Sequence, residues 1–252
     1  MKTTNKIFKA LLILVLSTSF LSAQNQFYRI HVDHVYPSSS KAYENISKSL
    51  ASHAKENQEE EGWNVLWTND NRVISIAPVS GWEDLGKEFM PKTRAKLGDD
   101  KFAGIFEEFD KHYDHHNDYI ITLISNLSYM PNGINTMPEG KNYRNNLVMY
   151  HRARDRQKIA EIAEKFKDLY TKKGSKLHYR VYFSGFGNEE SYVMVARAAE
   201  SALEFEKQAE ANRQLLGEEG MKLWNELSQY ITKLEHTVGN MQPELSYSPA
   251  KK

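Results

Sequence analysis

The sequence predicts an α+β fold: two tandem ferredoxin-like units, each an antiparallel sheet with helices on one face. Three observations carry this. Segments that alternate polar and apolar residues with period two are strand-like. Between them lie segments whose apolar residues recur at three- and four-residue steps, as on an amphipathic helix. Finally, three short matches recur in the same order. Ser80-Gly81-Trp82-Glu83 matches Ser201-Ala202-Leu203-Glu204 at an offset of 121. Leu97-Gly98-Asp99-Asp100 matches Leu216-Gly217-Glu218-Glu219 at 119, and Leu127-Ser128-Tyr129-Met130-Pro131 matches Leu245-Ser246-Tyr247-Ser248-Pro249 at 118. A slowly drifting offset is what small deletions in one of two copies produce.

In the first copy, Tyr28 to Tyr36 places Tyr28, Ile30, Val32 and His34 on one strand face and Arg29, His31 and Asp33 on the other. Pro37 and the serine run that follows end it and start a helix through Tyr43, Ile46, Leu50 and Ala54. Trp63 to Thr68 and Arg72 to Ala77 read as two strands around Asn69-Asp70-Asn71. Ser80 and Glu83 form a capping box for a second helix, bent near Pro91 and broken at Leu97-Gly98. That helix is expected to continue through His112 and His116, with Tyr119 to Ser125 as the last strand.

The second copy repeats this order. Leu147 to Arg152 is a strand, and Asp155 caps a helix through Ile159, Ile162, Phe166 and Leu169 that Gly174 stops. Leu177 to Ser184 and Tyr192 to Arg197 are strands, and Ser201 and Glu204 repeat the capping box. Met221, Trp224, Leu227, Ile231, Leu234 and Val238 form the last apolar stripe. The expected division is a leader over 1–23, a first ferredoxin-like unit over 24–131, a linker over 132–141 rich in Asn-Gly, Pro and Glu-Gly signals, and a second unit over 142–252.

With Val35-Tyr36-Pro37 leading into a helix that carries Tyr43-Glu44, a β-hairpin, and the Ser80–Glu83 and Ser201–Glu204 boxes, the chain resembles the dimeric α+β barrel superfamily. That superfamily includes antibiotic-biosynthesis-monooxygenase-like and NIPSNAP-like domains. The resemblance implies two sheets paired into an intramolecular barrel with helices outside, and small molecules held between a sheet and its helices. It carries no particular activity.

Lys2, Lys6 and Lys9 precede an apolar run from Ala10 to Leu21 and then Ser22-Ala23, the three-part pattern of a secretory signal peptide. Removing 23 of 252 residues leaves 229, and the three leader lysines take the net charge from zero to −3. The expected product is exported, periplasmic or secreted, with no stable membrane span after cleavage. A neutral to slightly acidic chain lacks the basic footprint of a nucleic-acid binder. The absence of cysteine excludes disulfides, thiolate metal sites, iron–sulfur clusters and cysteine nucleophiles. Gly185-Phe186-Gly187 lacks the rest of a dinucleotide fingerprint, and no P-loop or Gly-x-Ser-x-Gly elbow is present.

Histidines and aromatics carry what chemistry remains. His34 and His151 occupy equivalent places in the first strand of each copy and are candidate ligand-binding residues; His31 and Asp33 share the other face as an acid–base pair. Trp63, Trp67, Tyr179 and Phe183 on the hairpins can line a pocket for a flat ligand, although aromatics at such positions more often fill core. On a helix His112 and His116 are four apart and share a face, a spacing a metal can use, although a partly buried, dipole-favoured structural histidine explains His112 without metal. Haem or a divalent metal is not favoured. The leading functional reading is an exported protein that binds a small apolar or aromatic ligand in one unit. The alternatives are an α+β barrel enzyme, cofactor-free oxygenase or haem-dependent, and a non-catalytic envelope assembly protein.

Overall fold

The computed structural model describes residues 25–250, so the leader expected over 1–23 lies outside the described residues. Its first half contains strand β1 (Gln26–Val35), helix α1 (Ser40–Glu56), strands β2 (Asn64–Thr68) and β3 (Arg72–Val79), helices α2 (Pro91–Leu97) and α3 (Asp99–Phe109), and strand β4 (Tyr113–Leu123). The second half contains β5 (Tyr143–His151), α4 (Arg156–Lys173), β6 (Arg180–Ser184), β7 (Tyr192–Ala199), α5 (Ala202–Ser228) and β8 (Ile231–Met241). The strands form one closed antiparallel barrel in the order β1-β3-β2-β8-β5-β7-β6-β4. Both halves thus run through the same element order, and the chain closes the barrel on itself, as the resemblance implies. Closure leaves no free sheet edge.

Two short seams join the halves. Leu66, Trp67 and Thr68 of β2 pair with Met241, Asn240 and Gly239 of β8, and Ile121, Thr122 and Leu123 of β4 pair with Ser184, Phe183 and Tyr182 of β6. Alternation along the strands sorts the side chains into an inner and an outer face. Ile30, Val32, Leu66, Ile74, Leu123 and Met241 fill the lumen. Facing outwards, Val65 and Val73 pack under the first half's helices, and Val181 and Val193 under the second half's.

The repeated sequence matches have matched structural jobs. Each Leu-Ser-Tyr segment crosses to the opposite half. Tyr129 packs in the second-half core, and Leu245 and Tyr247 pack in the first. Ser128 Oγ accepts from the Val181 N–H at 2.9 Å, and Ser246 Oγ accepts from the Val65 N–H at 2.9 Å, so each serine extends a ladder beyond its strand. Gly98 (φ +83°) separates α2 from α3, and Gly217 (φ +55°) kinks α5 at the corresponding place. Both glycines take left-handed backbone that a side chain would strain.

Three expectations are corrected. Ser80 and Glu83 do not cap an α-helix: only a single 3-10 turn over Trp82–Gly86 follows, and Asp84 accepts the Ser80 N–H. Ser201, by contrast, does accept from the Glu204 N–H at 3.2 Å and opens α5. The helix expected to carry His112 and His116 ends at Phe109, and His116 lies in β4. Likewise the stripe from Met221 to Val238 is split, with Ile231, Leu234 and Val238 in β8. In both places apolar or titratable residues three and four apart imitate helical periodicity. Strand β4 starts with a run of exposed polar residues, so it lacks the alternation that marks a half-buried strand.

Candidate functional site

The largest cavity described, about 440 Å³, lies between the outer face of the first half's sheet and helices α1 and α3. Its size is within the range of small-molecule sites. Most of its wall is apolar: Leu50 from α1, Trp63 before β2, Val65 and Val73 from the hairpin, Phe89 before α2, and Phe106 from α3. Trp63 is held in place by its indole N–H, which donates to the Leu245 carbonyl at 2.9 Å, and by Phe89 and Tyr247 rings within 5.6 Å.

One end of the cavity is polar. There β1 presents His31 and Asp33, which period two puts on the same outward face, and β4 presents His116 and Asp118. His31 faces Asp118 across the β1–β4 ladder, and its Nδ1 is 3.0 Å from Asp118 Oδ1. Its Nε2 is 3.0 Å from Asp33 Oδ1. Burial works against a charge on the imidazole, but the Asp33 and Asp118 carboxylates outweigh it and raise the pKa to about 9. At neutral pH His31 is therefore an imidazolium clamped between two acids.

Asp33 is buried at 4% exposure and accepts the Tyr43 hydroxyl at Oδ2, at 2.5 Å. Its other oxygen, Oδ1, meets His31 as a charge contact outside hydrogen-bond geometry and has no hydrogen-bond donor. Burial and then the Asp33 charge keep the Tyr43 phenol well above its ordinary pKa, so Tyr43 is a fixed donor. At the rim, Tyr113 donates to Asp110 at 2.5 Å, and His116 Nδ1 lies 3.3 Å from the Tyr113 hydroxyl.

The residues singled out from sequence are divided among several places. Trp63 lines this cavity, and Trp67 stands behind it, edge-on to Tyr43 at 6.0 Å. Tyr179 lines a second cavity of about 190 Å³ under α4 and α5, while Phe183 packs in the core beside it with Arg156 4.3 Å over its ring. His34 and His151 do not share a cavity. His34 stacks on His115 at 3.9 Å, and burial and then His115 push its pKa down. His151 is buried beside Phe183 in the other half, its Nδ1 2.9 Å from the Arg152 carbonyl. The reason is topology: β1 and β5 stand four places apart in the eight-stranded barrel, on opposite sides of it.

His112 and His116 are likewise separated by the helix-to-strand transition. His112 Nε2 is 3.5 Å from Glu108, and His116 turns towards His31, their ring centroids 5.2 Å apart. Among the described residues no group of three or more His, Cys, Asp or Glu is arranged to hold a metal ion. The sequence reading missed Tyr43 and Asp118 as site residues. Asp118 is 87 positions from His31, and only the β1–β4 register brings them together.

No protein-family model matches the chain. No curated protein matches it either. Solved structures do match. An anthrone oxidase-like protein superposes with a TM-score of 0.59 at 9% identity, covering 90% of this chain and 94% of that one. A monooxygenase candidate from Lactobacillus acidophilus NCFM gives 0.55 at 6% identity, covering 90% and 97%. These proteins share this chain's α+β barrel fold. A chlorite dismutase candidate of the same fold gives 0.53 at 10% identity, covering 88% and 96%. Identities this low establish the barrel and no activity. Among the described residues, no helix is long and apolar enough to cross a membrane.

The histidines lining the described cavities do not fit haem. A haem iron needs a free imidazole lone pair. His31 is protonated, with both ring nitrogens facing carboxylates. His116 is half-exposed and leans on Tyr113. The residues lining the second-half cavity include no histidine, and His151, whose Nε2 is buried without a partner, lines neither cavity.

Proposed function

We propose that this protein binds a small, flat, mainly apolar molecule carrying a hydroxyl group, in the cavity of its first half. It does so after export, a reading supported by the basic and apolar composition of residues 1–23. One observation carries the ligand class: at the end of an aromatic-walled cavity, the buried Asp33 Oδ1 lacks a hydrogen-bond donor. The His31 charge 3.0 Å away offsets part of its burial cost, and a ligand O–H supplies the aligned donor it lacks. Beside it, the His31 imidazolium stabilises negative charge on the ligand oxygen, which favours a phenol over an aliphatic alcohol.

Calorimetry with para-phenylphenol and biphenyl tests this. The phenol is expected to bind one to one and at least ~10-fold more tightly than the hydrocarbon, since a hydrogen bond to a charged acceptor contributes about 1.5–3 kcal/mol. Asp33→Asn is expected to erase the preference, and Ala77→Trp, which fills the cavity, to abolish both. Equal affinities in the wild type, or binding that survives Ala77→Trp, would sink the proposal.

A second reading rests on the same pair. Asp33 is placed to take a proton from a bound acidic group while His31 stabilises the anion, the arrangement a cofactor-free oxygenase needs before dioxygen adds. Dioxygen uptake with anthrone, which would yield anthraquinone and water, is the check. Uptake lost in Asp33→Asn supports catalysis, and no uptake leaves binding alone.

A further inference from the structure

The barrel lumen holds a second polar site, unconnected with the first-half cavity. Arg144 and Asn146 of β5 and Arg180 of β6 point inwards at one end of the barrel, where Thr136 and Met137 of the connecting segment cover it. Both arginines are almost wholly buried, at 3% and 5% exposure. Neither forms an ion pair among the described residues, and no Asp or Glu lines the small cavity they share. Arg144 donates only to neutral acceptors: the carbonyls of Thr136, Lys141 and Tyr143, and the Met137 sulfur at 3.6 Å. Arg180 donates to the Asn135 carbonyl at 2.7 Å.

Two further observations point to a missing partner. Arg180 Nε is buried with no acceptor, and the Asn146 side-chain oxygen, 7% exposed as a residue, is buried with no donor. Turning the Asn146 amide presents an NH2 group to the same space. Burial and then the neighbouring Arg180 charge lower the Arg144 pKa to about 10, so the two guanidinium groups sense each other. Like charges buried together without a counter-charge are strongly unfavourable. The cavity holds about 70 Å³. At 10–15 Å³ for each water-sized occupant, that is room for about five heavy atoms. A tetrahedral oxyanion has five.

We propose that the Arg144–Arg180 pair, with Asn146, binds a free inorganic oxyanion of the size of phosphate or sulfate inside the barrel. The anion supplies the missing counter-charge and accepts from Arg180 Nε, and in doing so fixes the connecting segment across the barrel end. Guanidinium is suited to this because its planar donor set matches oxyanion geometry.

Equilibrium dialysis with radiolabelled phosphate, at ionic strength held constant with chloride, tests the proposal on the whole exported chain. One phosphate per chain is expected, with sulfate competing, and the melting temperature should rise with phosphate concentration. Arg180→Gln should lose binding by tenfold or more. Because that variant risks misfolding, Asn146→Asp is the second test: it supplies an internal carboxylate, so the protein should melt higher than wild type in phosphate-free buffer and bind no phosphate. Absence of phosphate binding in the wild type, or undiminished binding in Asn146→Asp, would overturn the proposal. Displacement of phosphate by chloride alone would do the same, by reducing the site to nonspecific charge.

Discussion

Asp33→Ala is expected to lower stability by about 2–4 kcal/mol, which for a chain of this size is a fall of roughly 5–15 °C in melting temperature. Asp33 is buried and serves two partners. Its loss strands the Tyr43 hydroxyl, in a residue only 4% exposed, without its acceptor. It also removes one of the two carboxylates that hold His31 charged.

The pH dependence identifies the second contribution. A rise in the His31 pKa from 6.5 to about 9 on folding corresponds to ~3 kcal/mol by linkage. The side chain is 36% exposed, and solvent screening reduces this to roughly 1–2 kcal/mol. Because the folded pKa is the raised one, the stabilisation is complete below pH 6.5 and is lost as pH climbs through 9. His34 and His178, whose pKa values burial lowers, act below 6.5 and with the opposite sign. Wild-type stability should therefore decline between pH 6.5 and 9, and the Asp33→Ala curve should be flatter over that interval. Chemical denaturation at a series of pH values measures both. Parallel curves would remove His31 from the account.

Gly239→Val should open the barrel. A Cβ at Gly239 would stand 2.2 Å from the Trp67 carbonyl oxygen and 2.7 Å from Thr68 Cα, and these are backbone atoms of the β2–β8 seam. They cannot yield as a side-chain tip would. Overpacking strain and the lost ladder bonds together amount to roughly 3–5 kcal/mol. Opening that seam exposes the lumen side chains Leu66 and Met241, so increased dye binding, or dimers in which two chains close each other's barrels, should accompany the loss. Gly104→Ala is the control: it sits in α3 with nothing within 4 Å of its added Cβ, and should be neutral or stabilising by about 0.5–1 kcal/mol. Thermal denaturation and size-exclusion chromatography of the two variants decide the matter. An unchanged Gly239→Val protein would mean the seam is not formed as described.

How much of this was legible in the sequence depended on whether a signal was local. The alternation in β1 and the turn around Asn69-Asp70-Asn71 are short-range, and both elements stand where expected. The Leu-Ser-Tyr and Leu-Gly matches also pointed to real structural equivalence, because a crossing segment and a left-handed kink impose particular residue types. Strand β8 and the first half of β4 were hidden. β4 begins exposed and polar, and the apolar residues of β8 fall three and four apart. The site was legible to the same extent. His31 and Asp33 share a face by period two, and Trp63 lies beside the hairpin, so those three were within reach. Tyr43, ten residues on, and Asp118, across a strand whose start was misplaced, needed the register. Tyr179 and Phe183 matched the first-half aromatics by analogy, yet barrel closure puts them around a different cavity and core.

The central claim is that the first-half cavity is the ligand site and Asp33 its polar anchor. Crystals soaked with a hydroxybiphenyl that carries bromine at the opposite para position test it most directly, since anomalous scattering locates the bromine without reference to any starting coordinates. The expected result is a single bromine among Trp63, Phe89 and Phe106, with the hydroxyl within hydrogen-bond distance of Asp33 Oδ1. A bromine under α4 and α5 in the second half, or on the protein surface with the first-half cavity empty, would contradict it.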